Sequence, residues 1–285
     1  MFEVNQDRAS RTAERVAERR AAHQLLDDPV VFRDPLAFAM LQPEVAARLR
    51  SAPGEYDRSP IATPLRAFLV ARSRFAEDTL RAAVERGVSQ YVIVGAGLDT
   101  FACRNPYSGI RVFEIDHPAT QAEKRRRLAA SGIELADNVS LIPADLSARS
   151  LGEALASSVF EPGKPAVFAW LGVIPYLELP AIEATFRYVA SLPSETEIVF
   201  DYGLPRRSLS FLGRLVFDRM ASRVAAIGEP WKTFFTPDDL LRLLHSVGFR
   251  AVEDLGASEI NARYFAGRSD RLRVGEAGRI AKAVV

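Results

Sequence analysis

Short apolar runs rich in β-branched residues recur at 91–94, 112–115, 139–142, 166–169, 198–200 and 249–252, and most intervals between them have helical spacing. That rhythm predicts an α/β fold, a parallel sheet covered by helices. Helix punctuation agrees. Thr63-Pro64 opens one segment and Gly87 closes it, while Thr236-Pro237-Asp238-Asp239 resembles a capping box with proline at the first helical position. The terminal "GRIAKAVV" predicts one more strand, antiparallel because no crossover helix closely precedes it. Two regions fall outside the alternation: residues 1–62, with an Arg-rich helical stretch followed by "DDPVVFRDP", and residues 204–234. Both are expected as covers over a site, since long insertions after strand ends often build pockets in α/β proteins; plain surface packing is the competing reading. No repeat with a period of 20–50 residues is present.

The chemistry concentrates at predicted strand ends. In "YVIVGAGLDT" a strand runs into Gly95 and Gly97, which permit positive φ and let a ligand approach the main chain. A third glycine would complete a dinucleotide pattern, but Thr100 stands there, which weakens a nicotinamide or flavin reading. The next run ends "FEIDHP", placing Glu114 and Asp116 where an acid can accept from ribose hydroxyls, Asp116 nearer the strand end. Asp145 and Leu146 follow the third run and suit an adenine amino group and an apolar wall, with helix capping the alternative for Asp145 and for Ser147. Before the glycine turn, Leu65, Leu69, Ala76, Leu80 and Ala83 share a helix face with Arg72 in its middle, while Arg74 and Arg81 point away. A guanidinium on an apolar stripe calls for an anion: a ligand carboxylate or a structural Asp. Trp170, Gly172, Pro175 and Tyr176 follow the fourth run at the same edge, in a pocket or in the core.

Composition narrows the classes. Hydrophobic residues make up 48% of 285, enough for a large core, and 37 basic against 36 acidic residues argue for neither a nucleic-acid nor a membrane partner. Cys103 is the single cysteine, and His23, His117 and His245 lack metal-ligand spacing, so no metal site is expected. His245 lies off the apolar face formed by Leu240, Leu243, Leu244 and Val247 and is expected in solvent, as is the basic run 124–127. No G-x-S-x-G, Walker or H-E-x-x-H motif occurs. The charged N-terminus and the lack of a long apolar run predict a soluble, cytoplasmic protein.

Taken together, "RTAERVAERRAAH" with "FRDPLA", "ARSRFAEDTL", "QYVIVGAGLDT", "FEIDHP", "ADL", "WLGVIPYL", "EIVFDY", "GEPWKTFF" and "ARYFAGRSDRLR" keep an order that resembles the leucine carboxyl methyltransferase-like family of S-adenosylmethionine-dependent methyltransferases, especially its bacterial small-molecule O-methyltransferase branch. The resemblance implies a Rossmann-like, mostly parallel seven-stranded sheet with helices on both faces, an N-terminal helical cover over residues 1–62 and a helical lid at about 204–234. It implies S-adenosylmethionine held by Arg72, Gly95, Gly97, Asp99, Asp116, Asp145, Leu146 and Trp170, with Arg20 and Tyr176 positioning the acceptor. Phe101 stands where many members have arginine, and Leu171 where others have an acid, which sets the chain apart from the protein-phosphatase-methylating members. The expected activity is methyl transfer to a carboxylate or hydroxyl of a small molecule. An NAD-dependent oxidoreductase and a cofactor-binding, non-enzymatic protein are the alternatives.

Overall fold

The computed structural model describes residues 10–146, 148–226 and 228–285. Seven strands form one sheet: β1 (Gln90–Val94), β2 (Arg111–Asp116), β3 (Val139–Pro143), β4 (Val167–Trp170), β5 (Glu197–Gly203), β6 (Ala251–Leu255) and β7 (Gly278–Val284). Their order is β3-β2-β1-β4-β5-β7-β6, with β7 antiparallel to both neighbours and the other pairings parallel. The chain leaves β1 toward β2 on one side and returns to β4 on the other. The crevice where the strand order reverses lies at the carboxyl ends of these strands, the place where open α/β sheets bind ligands.

Strand period sorts the core into two layers. Val92, Val94, Phe113, Ile115, Phe168 and Phe200 face one cluster, and Tyr91, Ile93, Val112, Val167 and Val199 face the other. The N-terminal cover begins with α1 (Arg11–Leu26), continues through α2 (Pro43–Ser51), and leads into α3 (Ala62–Glu85). It shares an apolar cluster with the main body: Ala17, Ala21, Met40 and Leu49 pack with Leu98 and Leu128. The buried His23 braces it, its Nε2 accepting from Val31 N–H (3.0 Å) and Phe32 N–H (3.1 Å), which leaves the Nδ1 hydrogen to donate to Asp27 (2.7 Å). In α3 the expected stripe is buried at Leu69, Arg72, Ala76, Leu80 and Ala83, and half-buried at Leu65.

After the glycine turn comes a single helical turn, α4 (Phe101–Arg104), and after β2 comes α5 (Pro118–Ala130). The expectation of a solvated basic run in α5 holds only for Arg125 and Arg126. Lys124 is 1% exposed and paired with Glu114, and Arg127 is buried against Glu14, Glu123 and the Met40 carbonyl. Helical phase turns Lys124 toward β2 and Arg127 toward the N-terminal segment, which linear charge counting cannot detect. Lys124 Nζ takes Glu114 Oε2, and Oε1 has no hydrogen-bond partner among the described residues, so the pair is the compensation these residues give the carboxylate. Lys124→Met is expected to cost about 3–5 kcal/mol in urea unfolding, because it strands a buried carboxylate, whereas Lys124→Met with Glu114→Gln should recover most of the loss.

Ser147 lies outside the described residues, and Ser150 caps α6 (Leu151–Ala156). The next helices are α7 (Leu179–Ala190), α8 (Phe211–Ala225) within the expected insertion, and α9 (Pro237–Val247), whose Thr236 cap accepts from Asp239 N–H as the sequence predicts. The sixth strand begins later than expected. Gly248 closes α9 at φ 117°, Phe249 N–H bonds back to the Leu244 carbonyl, and the Phe249 ring joins the core from this turn. The last helix, α10 (Ala257–Tyr264), precedes β7. Among the described residues no helix is long and apolar enough to cross a membrane.

Candidate functional site

Four strand ends and two covers meet at the reversal point. The backbone leaves β1 through Gly95 (φ 68°) and Gly97 (φ 52°), with Gly95 N–H and Ala96 N–H both bonded to the Ile115 carbonyl of β2. Each glycine answers to a neighbour as well as to φ. A Cβ at Gly95 would meet Val173 Cγ2 far inside van der Waals contact, and one at Gly97 would lie 3.2 Å from Ala13 Cβ of α1. The turn is therefore a cradle closed from two sides.

Asp116 ends β2 beside this turn. Its Oδ2 accepts from Gly97 N–H and its Oδ1 from His117 N–H, both at 2.6 Å. A carboxylate has about four lone-pair sites, so two remain, on a group aimed at the glycine turn. Burial pushes the Asp116 carboxyl above its ordinary range, and the two N–H donors pull it partly back. Ala144 N–H bonds to the Asp116 carbonyl (2.8 Å), which brings half-buried Asp145 and Leu146 to the same edge.

Arg72 reaches this edge from α3. Its Nη1 donates to Asp201 Oδ2 of β5 (2.9 Å), and Gly172 N–H donates to Asp201 Oδ1 (2.5 Å). The guanidinium lies against the Gly172 turn, where a Cβ would fall 2.7 Å from Nη2. Arg72 thus meets a structural Asp, and among the described residues its Nη2 has no hydrogen-bond acceptor, so both anion readings have a place. Asp201 was not singled out from the sequence. Its signal was an acid inside the otherwise apolar run "EIVFDY", buried to 4% exposure.

Three expected site residues take other positions. Trp170 is fully buried in the core, 5.4 Å from the Phe186 ring, and its indole N–H has no partner among the described residues. As the last residue of β4 it points into one layer, and the main chain of Leu171 and Gly172 forms the edge in its place. Asp99 has both oxygens engaged, Oδ1 by Phe101 N–H (2.7 Å) and Oδ2 by Arg20 (2.8 Å), so it shapes the turn. Burial alone would raise its carboxyl, but Arg20 and Arg104 outweigh that and hold it at about 2. Arg20 is 4% exposed, paired with Asp34 and Asp99 and donating to Thr100, so it braces the glycine turn. Helical phase in α1 turned it inward.

Tyr176 is half-buried at the edge, and its hydroxyl bonds to no described residue. The 204–234 segment is tied to either side of it: Lys232 N–H bonds to the Pro175 carbonyl (2.6 Å) and Thr233 Oγ1 to the Leu177 carbonyl (2.6 Å). Glu229 accepts from Thr12 Oγ1, Arg11 N–H and Ser10 Oγ at the start of α1. Contacts therefore run in a ring, from Gly97 through α1 to Glu229, Lys232, Pro175 and Val173, and back to Gly95. Cys103 offers no thiolate, since burial raises its thiol to about 11. Among the described residues no cluster of three or more His, Cys, Asp or Glu could hold a metal.

The turn suits one nucleoside better than a dinucleotide. A pyrophosphate is held at the N-terminus of a long helix, and here the turn meets only the four residues of α4, with Thr100 buried and bonded to Asp34.

A family model described as leucine carboxyl methyltransferase matches residues 13–190. YktD of Bacillus subtilis (strain 168), named as a candidate S-adenosyl-L-methionine-dependent methyltransferase, is 30% identical over 278 residues, 89% of this chain and 90% of its own. A relative from Mycobacterium marinum with the same description is 32% identical over 186 residues, 62% of this chain and 58% of its own. Two solved structures share the fold. A duf574 family protein from Streptomyces avermitilis has a TM-score of 0.57 at 17% identity, covering 99% of each chain. A structure from Thermobifida fusca, titled a candidate methyltransferase, has a TM-score of 0.56 at 16% identity, covering 90% of this chain and 96% of its own.

Proposed function

The chain belongs to the leucine carboxyl methyltransferase family of S-adenosylmethionine-dependent methyltransferases, and from that premise we propose that it methylates a carboxylate or hydroxyl oxygen of a small molecule. The observation that carries the cofactor assignment is Asp116, whose two remaining acceptor sites match the two vicinal hydroxyls of a ribose. The main chain of Gly95 and Gly97 borders the methionine part, Arg72 offers its Nη2 edge to the cofactor carboxylate, and Asp145 with Leu146 flanks the adenine. When bound, the cofactor supplies a methyl group on a cationic sulfur, which passes to an acceptor lone pair while the C–S electron pair stays on sulfur.

The protein's own part is alignment and exclusion of water. Val173 and Ala13 wall the turn, the ring of contacts shields it, and Tyr176 offers a hydroxyl to orient the acceptor. A carboxylate acceptor is ionised at neutral pH and needs no base. A hydroxyl acceptor must also pass its proton to a nearby acceptor group, a demand that a carboxylate does not make.

Calorimetry with S-adenosylhomocysteine is expected to show micromolar binding, with no heat from NAD; the reverse pattern would overturn the assignment. Binding should weaken as pH falls through the raised value of Asp116, because protonation removes an acceptor from the ribose. That loss should begin at a higher pH than for an ordinary carboxylate and be absent in Asp116→Asn. Glu229→Ala opens the ring at one point only. It is expected to speed S-adenosylhomocysteine dissociation several-fold in stopped-flow fluorescence, with a stability loss of about 1–2 kcal/mol.

A further inference from the structure

Helix α8 has a polar N-terminal cap, Ser210, yet none of its 15 residues is buried. Gly213, Phe217, Met220, Ala221 and Val224 recur at spacings of three and four and are half-buried, so the helix presents an apolar stripe inward that the protein itself only partly covers. Along this helix runs a shallow, solvent-open pocket of about 360 Å³, lined by Phe217, Ala221 and Ala225 and by Pro230, Trp231 and Phe234 of the returning loop. Its three rings form one cluster, with centroids 5.6 Å apart for Phe217 and Trp231, 5.1 Å for Phe217 and Phe234, and 6.1 Å for Trp231 and Phe234. The one hydroxyl in the lining, Ser222, donates to the Asp218 carbonyl of its own helix, and no charged side chain lines the space.

The pocket adjoins the candidate site. The Phe234 ring lies 3.1 Å from where a Cβ of Gly203 would stand, at the carboxyl end of β5 and two residues past Asp201. Lys232, next to Trp231, is tied to the Pro175 carbonyl beside Tyr176. We propose that this pocket takes the body of the methyl acceptor and that the acceptor carries an apolar aromatic ring system; the proposal rests on the methyltransferase reading. Three rings around a space of this size select for planar apolar surface through offset and edge-to-face packing. An uncharged lining offers no partner to a second ionic group on the acceptor body, which favours an apolar ring over a short dicarboxylate.

The test is calorimetry with 2-naphthoate and with glutarate on protein saturated with S-adenosylhomocysteine. Naphthoate should bind and glutarate should not. Trp231→Ala should weaken naphthoate about tenfold, and Ala221→Trp, which keeps a helix-forming position and fills the pocket, should abolish it while S-adenosylhomocysteine affinity is unchanged in both. Failure to bind naphthoate, or binding that both variants leave intact, overturns the aromatic acceptor alone. Failure of the wild-type protein to bind S-adenosylhomocysteine overturns the underlying reading instead.

Discussion

Asp116→Ala is expected to lower S-adenosylhomocysteine affinity by about 100-fold or more in calorimetry, the largest effect of any single side-chain truncation at this site. Two charge-assisted hydrogen bonds to the ribose are lost, each with a typical contribution of about 1.5–3 kcal/mol. The same change frees Gly97 N–H and His117 N–H, which Asp116 holds at 2.6 Å, so the turn loosens as well. Asp116→Asn should fall between wild type and alanine, since the amide keeps one acceptor oxygen and turns a donor toward a second N–H. Wild-type affinity in Asp116→Ala would remove the ribose from this position.

Gly95→Ala is the second large effect, and its cause is different. At φ 68° a non-glycine residue costs about 1–2 kcal/mol in the left-handed region, and its Cβ would also collide with Val173 Cγ2. Together these predict a stability loss of about 2–4 kcal/mol and loss of measurable cofactor binding, because the turn and the loop after β4 must move apart. Adding Val173→Ala removes the colliding methyl and should return most of the stability, leaving the backbone cost. Urea unfolding of the two single variants and the double variant measures this coupling directly. Strictly additive effects would show that the turn tolerates a side chain and that only φ matters.

The alternation of apolar runs with helices was enough to place seven strands and the antiparallel last one, because fully buried strands must be apolar at nearly every position. The antiparallel sense of "GRIAKAVV" agrees with the expectation but not with its reason: residues 256–277, with α10 among them, separate β6 from β7 and would be long enough for a parallel crossover. Gly95, Gly97 and Asp116 were legible because the turn and the acid recur at strand ends with fixed spacing. Arg72 was legible from helical phase. Phe249 was not, because a ring that enters the core from a turn looks like the first residue of a strand.

Charge was the least legible feature. In the linear chain Lys124, Arg127 and Arg20 are members of basic runs, and Asp201 is one acid in a strand. All four are buried in the fold; Lys124 meets Glu114 of the preceding strand, and the others are matched to partners far away in sequence: Arg127 with Glu14, Arg20 with Asp99, and Asp201 with Arg72. Trp170 shows the same limit for an aromatic side chain. Its place after a strand was correct, but the layer it faces depends on strand register, and a shift of one residue reverses the face.

The sequence by itself determined the family, the sheet and the acid beside the glycine turn, because these rest on local backbone demands and on periods of two and 3.6 residues. Only the tertiary structure decided which charges are buried, which residues wall the turn, and that α1 and the insertion meet through Glu229. Those contacts join segments up to about two hundred residues apart, as Thr12 and Glu229 do with a separation of 217. Pairing at that range depends on where the whole sheet places its edges, and no local pattern encodes it.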